Sequence, residues 1–359
     1  MGLKETLRDC PAAALLCPYL VKSYRAEKMK TPLIMASKKL QIYSHFRLSL
    51  FIGLIASLTS QAQILSDGDG TFQDGTTWQG GVAPTSTDSW TIQSGNAVTA
   101  SGNLAIQSPA VGQVDGSLDM DGNNITLSGG GTLNLNGNLT LHRLLNSSSG
   151  SDEGGIVNVN SGTLTFTSRI YLTQSDFDNT LITQFNLNGG SVSGSGENFR
   201  LYGADSDDTA QLSVTGSAGS FIVGNTDLFN SATGFENSAT DLNFTFGSSG
   251  GSGALTVLNT GNLTLGGNEV TIDFSSIDRG SHSGSLSTTL IDYGNNLTGS
   301  SGTLNSVGLA AGESASLFHD AIDGSFRVDY TLVAIPEPST YGLMAGLLGL
   351  YIVWGRRRR

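Results

Sequence analysis

Lysine is absent from most of this 359-residue chain. All six lysines (Lys4, Lys22, Lys28, Lys30, Lys38, Lys39) precede residue 40, and from Gln63 to Pro338 five arginines (Arg143, Arg169, Arg200, Arg279, Arg327) stand against 27 acids, leaving a net charge of −22. So acidic a body repels phosphate backbones, which argues against nucleic-acid binding. Cysteine is almost as scarce. Cys10 and Cys17 are the only two, both ahead of an apolar segment at 48–58. If that segment is removed, no disulfide framework and no thiol nucleophile remain. Proline is limited to 7 residues, and the 48 glycines follow no three-residue period, which excludes a collagen-like chain. Charged residues make up only 13%, so Ser, Thr, Asn and Gly must supply the polar surface.

The first informative feature is MASKKLQIYSHFRLSLFIGLIASLTSQAQ, Met35 to Gln63. Lys38, Lys39 and Arg47 precede an 11-residue apolar run, Leu48 to Leu58, which is too short to span a bilayer comfortably. Small residues at Ser60 and Ala62 complete a secretory signal pattern, with cleavage expected between Ala62 and Gln63. Residues 1–34 show no periodicity. They are expected to be an unstructured extension, or to precede a true start at Met35 or Met29.

The body is punctuated by Gly, Asn and Ser between runs of alternating apolar and polar residues. GTLNLNGNLTL (Gly131–Leu141) alternates without error, and GIVNVNSGTLTF (Gly155–Phe166), QFNLNGG, QLSVTG and ALTVLNTGNLTLGG repeat the style. The leading apolar residues of these units are Leu133, Val157, Phe185, Leu212 and Leu255, with steps of 24, 28, 27 and 43 residues. Steps of roughly 20–30 suit one coil of a parallel β-solenoid, and the last suits two. The expected fold is all-β: a right-handed parallel β-helix over 101–284, with Asn at corners able to ladder from coil to coil. An antiparallel β-sandwich is the alternative. The expected caps are 63–100 at one end and antiparallel strands over 285–333 at the other. GTFQDGTTWQGGVAPTSTDSWTIQSGNAVT (Gly70–Thr99) resembles the opening segment of bacterial surface β-helices in Trp78, Gly80, Gly81, Pro84, Asp88, Ile92, Gly95, Val98 and Thr99. Trp78 and Trp90 are accordingly expected in the core of that cap.

Chemistry is sparse. Asp119, Asp121 and Asn123 around Gly122 offer oxygen ligands for calcium, but the twelfth position of an EF-hand loop counted from Asp119 is Gly130, and a plain turn explains Asp-Gly equally well. Asp205, Asp207, Asp208 and the Asn225-Thr226-Asp227 triplet resemble acidic motifs of β-helical polygalacturonases, which need two carboxylates across the glycosidic bond. Here the order is reversed, and a body without lysine cannot supply that family's Arg-x-Lys. His142, His282 and His319 are far apart in the chain. No catalytic residue, resident metal or cofactor is expected.

The chain ends VAIPEPSTYGLMAGLLGLYIVWGRRRR (Val333–Arg359). Pro336, Glu337 and Pro338 abut an uncharged span, Ser339 to Trp354, that as a helix would cover about 24 Å. Arg356, Arg357, Arg358 and Arg359 would hold its cytoplasmic side by the positive-inside rule. Prolines keep the knuckle extended and open. In this order, and paired with a signal peptide, residues 334–359 resemble the PEP-CTERM sorting signal of Gram-negative bacteria. That resemblance covers about 25 residues. It implies a transmembrane helix at 339–354, recognition of Pro-Glu-Pro by an exosortase after signal peptidase has acted, and a non-enzymatic protein that passes from an inner-membrane-anchored precursor to the cell surface or an exopolysaccharide-rich matrix. A polysaccharide-binding or polysaccharide-degrading β-helix, or an adhesin, is the alternative function.

Overall fold

Alternation at period two sends every second side chain inward, and short runs ending in Gly or Asn must turn before they grow long. The computed structural model follows that rule. It describes residues 63–146, 154–173, 183–202, 210–216, 219–230, 238–248, 258–320, 322–334, 346–348, 350, 351 and 354. Contacts divide the chain into Met1–Ser60 and Gln61–Arg359, and every described residue belongs to the second unit. The signal segment with Ala62, the Pro336–Glu337–Pro338 knuckle and Arg356–Arg359 lie outside the described residues.

The body is all-β, with two long sheets built mainly from parallel pairs rather than from the antiparallel pairs of a sandwich. The first sheet has ten strands in chain order: Ile64–Leu65, Trp90–Ile92, Val111–Val114, Gly131–Leu135, Gly155–Val159, Thr183–Leu187, Ala210–Thr215, Asp241–Thr245, Val270–Asp273 and Leu304–Val307. Leu133, Val157, Phe185 and Leu212 form one inward column in direct register. The next residue in that column is Leu242, 30 residues after Leu212, and not a residue two coils on. Leu255 lies outside the described residues, and the strand after it, Leu258–Thr264, belongs to the second sheet. A short antiparallel excursion, Phe229–Asn230 with Ser238–Ala239, lies between Leu212 and Leu242, whose 30-residue step keeps the coil period.

The second sheet runs alongside, one strand or two per repeat. Ser117–Asp119 and Asn124–Ser128 are separate strands, and the long strand Asn138–Asn146 pairs with both, through Asn138–Thr140 and Arg143–Asn146. The later strands Thr163–Thr173, Ser191–Tyr202 and Leu258–Thr264 keep this double role, each shifting register partway along, between Thr165 and Arg169, Gly194 and Asn198, and Thr260 and Asn262. Such irregularities bend a strand. Each of these repeats therefore supplies three strand segments, one in the first sheet and two in the second, an arrangement consistent with a β-solenoid.

Buried Leu, Val, Ile and Phe from these segments form one continuous core. Each fully buried aliphatic or aromatic side chain stabilises the stack by roughly 1.5–3 kcal/mol. Outside it, amides link successive coils. Asn158 donates to Asn134 and Asn186 to Asn158, both at 2.8 Å. A second column starts on a carboxylate: Asn136 donates to Asp115 (2.7 Å), Asn160 to Asn136 (3.0 Å) and Asn188 to Asn160 (2.9 Å). A third joins Asn262, Asn225 and Asn198 at 2.7 Å per step. The corner beside the second column needs glycine. Gly162 has φ +71, and a Cβ there would come 2.1 Å from the Gly137 carbonyl oxygen.

The two ends differ. At the N-terminal end Phe72, Trp78 and Trp90 meet edge to face, with ring centroids 4.8, 5.1 and 6.4 Å apart, and Trp78 Nε1 donates to the Phe72 carbonyl (2.7 Å). Both tryptophans are 2% exposed or less, so they are core and not platforms. At the C-terminal end Gly284–Thr298 pairs in parallel with Leu258–Thr264 and antiparallel with Ser325–Leu332, which in turn pairs antiparallel with Ser314–Asp320. Antiparallel pairs thus reach from Gly284 to Leu332, and parallel pairing continues in the same stretch through Leu304–Val307. Arg279 and Glu313 tie it together at 2.8 Å, with side chains 8% and 0% exposed. Arg279 also donates to the Gly308 carbonyl (2.5 Å), and Glu313 accepts from the Ala310 and Val333 amides (2.7 and 3.0 Å).

Within the expected span, residues 346–348, 350, 351 and 354 are helical, and Leu347, Leu348, Leu350, Tyr351 and Trp354 are exposed. Among the described residues no helix is long and apolar enough to cross a membrane.

Candidate functional site

The residues with calcium-ligand character are held in a turn. Asp119 ends the strand Ser117–Asp119, and its Oδ1 accepts from the Asp121 amide (2.9 Å). Asp121 is the one non-glycine residue with positive φ (+46) among the described residues, a conformation Asp tolerates through such local bonds. Asn123 turns its Nδ2 to the Ala100 carbonyl (3.2 Å). The donors thus hold the backbone, and among the described residues no three His, Cys, Asp or Glu side chains come together as a metal site.

The polygalacturonase-like triplet is likewise built into the stack. Asn225 is the middle rung of an amide column, Thr226 faces inward at 2% exposure, and Asp227 lies 3.7 Å from Arg200. Asp205, Asp207 and Asp208 lie outside the described residues. The histidines are not brought together. His142 contacts Thr167 (3.2 Å), His282 the Asp278 carbonyl (3.3 Å), and His319 packs by Tyr293 and Phe326, where burial lowers its pKa. Gln63, the expected new N-terminus, is exposed beside the first sheet, its amide donating to Thr91.

What the structure brings together instead is a strip of arginine and tyrosine on the second segment of the second sheet. In Asn138–Asn146, Thr163–Thr173 and Ser191–Tyr202, Leu144, Ile170, Leu172, Phe199 and Leu201 point inward. The alternate positions therefore point outward. Arg143 lies in register with Arg169, and Tyr171 with Arg200, which is in register with Asp227. The Arg169 and Arg200 guanidinium carbons sit 5.5 and 5.7 Å from the Tyr171 ring centroid, within cation–π range. Tyr202 meets Tyr171 edge to face at 6.5 Å. Burial and a hydrogen bond with Tyr171 raise the Tyr202 pKa, so its phenol stays protonated through the physiological range. Below the strip, Phe185, Phe199 and Phe221 interlock edge to face at 5.0, 6.4 and 5.1 Å, giving it a rigid floor.

Three of the body's five arginines thus fall on one face of neighbouring coils. The 26-residue step from Arg143 to Arg169 is near the coil spacing and was a signal open to sequence reasoning, but both steps of the strip depend on register shifts, between Leu141 and Arg143 and between Thr165 and Arg169. No family model, curated protein or solved structure matches the chain.

Proposed function

We propose that this chain is an exported, non-enzymatic structural protein of the cell surface or extracellular matrix. It is sorted through a C-terminal signal in which Pro336, Glu337 and Pro338 precede a membrane-spanning helix at 339–354 and the Arg356–Arg359 cluster. The observation that carries the reading is the order of these three parts at one terminus together with the signal-peptide pattern ending at Ala62. An ordinary tail anchor needs the span and the arginines but gives no reason for Pro-Glu-Pro beside them. On this reading the helix is a temporary handle, and an exosortase cuts near the knuckle once the body is outside.

The finer architecture belongs to the same proposal: a right-handed parallel β-helix whose coils fill a load-bearing or space-filling role. Its support is the use made of polar side chains in the body. Asn134, Asn158, Asn160, Asn186, Asn188, Asn225 and Asn262 link coil to coil. The strip around Tyr171 favours polysaccharide binding as an accompanying role.

Mass spectrometry of both ends of the surface-exposed protein, with and without the exosortase, tests the sorting reading. The expected N-terminus is Gln63, and the expected C-terminus lies near Pro338. An intact Arg356–Arg359 on the mature surface form overturns the reading.

A further inference from the structure

We propose that the strip formed by Arg143, Arg169, Arg200, Tyr171 and Tyr202 binds a carboxylated polysaccharide, a run of uronate sugars lying along the stacking direction. This deepens the matrix reading and rests on it only in placing the body among extracellular polymers.

Charge is the first argument. Guanidinium groups gathered on one face repel one another, and an anion set among them relieves that repulsion. Yet among the described residues Arg143 donates only to the Ser168 hydroxyl (3.2 Å), Arg169 lies only against Tyr171, and neither has a carboxylate partner. Arg200 has one, Asp227, at a loose 3.7 Å. A guanidinium presents a planar fork that matches a carboxylate with two parallel hydrogen bonds.

Shape is the second. Tyr171 is half-buried, with a guanidinium from its own coil and another from the next near its ring. Tyr202 is 9% exposed although it occupies an outward position and is not part of the continuous core. The two rings stand edge to face, so the half-buried Tyr171 supplies the contact for a pyranose ring and the more buried Tyr202 braces it. Coils of a parallel sheet are about 4.8 Å apart, close to the advance of an extended glycan by one sugar. A polymer with one carboxylate per sugar therefore meets Arg143 and Arg169 on successive coils, with Arg200 two residues to one side on the next. A nucleic acid would also present anions to these arginines, and titration against DNA separates the two.

The test is calorimetric titration of the full chain in detergent with oligogalacturonate, set against neutral dextran and single-stranded DNA. Oligogalacturonate is expected to bind, more weakly as salt is added, and dextran and DNA are not. Arg169→Ala and Tyr171→Ala should each weaken binding by about tenfold or more. Arg327→Ala, which removes an arginine held elsewhere by Asp320 and Asp329, should leave it unchanged. Thermal midpoints show whether each variant is folded; should Tyr171→Ala fail, Arg169→Gln carries the test from an exposed position. The proposal is overturned if oligogalacturonate does not bind, if Arg169→Ala and Tyr171→Ala bind as the parent does, if Arg327→Ala loses as much, or if DNA binds equally through the same residues. Sorting is read independently from the mass of the C-terminus, so either idea can fail alone.

Discussion

The two ends of the stack face the same physical problem and meet it with opposite chemistry. A terminal coil has a neighbour on one side only, so its core and its backbone groups need cover. At the N-terminal end the cover is apolar: Phe72, Trp78 and Trp90 interlock, and one indole N–H reaches a carbonyl. At the C-terminal end the chain reverses into antiparallel strands, and an enclosed ion pair, Arg279 with Glu313, joins segments 34 residues apart. The first solution depends on area and shape and is indifferent to pH. The second depends on charge and fails if either partner is removed. In a stack where each coil contacts mainly its neighbours, damage to an end should stay near that end.

The largest expected effect is at the aromatic end. Trp90→Ala removes a side chain that touches both other rings, and should cost about 4 kcal/mol. Hydrogen exchange should quicken at Trp90–Ile92 and Ala97–Thr99 while Ser325–Leu332 keeps its protection. Equal loosening at both ends would show that the stack unfolds as one unit. Next comes Glu313→Gln, which leaves the Arg279 guanidinium enclosed without its counter-ion and should cost about 3 kcal/mol, with the quickened exchange now at Ser314–Asp320 and Ser325–Leu332.

Acid should separate the ends without mutation. Hydrogen bonds from Arg279 and two backbone amides hold Glu313 down to about 2, against a usual 4.5. Its folded value is depressed, so its contribution is full above about 4.5 and is lost as pH falls toward 2. At the other end Asp74 and Asp88 are also lowered, by hydrogen bonds from Thr76 and Thr85, but these bonds are exposed and should matter less. Exchange measured from pH 5 to pH 2 should therefore rise first in the C-terminal strands. A rise that begins at Trp90–Ile92 would contradict the contrast.

Smaller effects sharpen the comparison. Gly112→Ala would place a Cβ 2.6 Å from the Trp90 ring and 2.7 Å from Ile106, an overpacking expected to cost about 2 kcal/mol. Asn160→Ala, in mid-stack, removes one rung of an amide column and should cost about 1 kcal/mol. If Asn160→Ala proves worse than Gly112→Ala, the columns hold the coils more firmly than the end packing does.

Much of this was legible in the sequence. Alternation in GTLNLNGNLTL marks Leu133, Leu135, Leu139 and Leu141 as core, and all four are buried. Equal spacing aligns Leu133, Val157, Phe185 and Leu212 as the structure pairs them. Counting failed after Leu212 because it passed over Leu242 in DLNFT, 30 residues on and within the coil period, and aligned Leu255, whose following strand Leu258–Thr264 lies in the second sheet. The Arg279–Glu313 bond was hidden for a different reason: a lone Arg and a lone Glu 34 residues apart carry no local signal until the chain reverses. The arginine strip lay in between. Its first step of 26 residues is near the coil period, but both steps depend on register shifts, between Leu141 and Arg143 and between Thr165 and Arg169, that no periodicity announces.

Asp115 sits at the foot of an amide column and, as a carboxylate, can only accept. Asn136 must therefore donate to it, which turns the Asn136 oxygen toward Asn160, whose own oxygen is turned in the same way toward Asn188. One acidic residue thus gives the column a direction, and orientation is passed from earlier coils to later ones and never back. A chain threaded outward by a secretory route arrives in that order too. Each coil that emerges finds a finished template beneath it, so folding can keep pace with emergence.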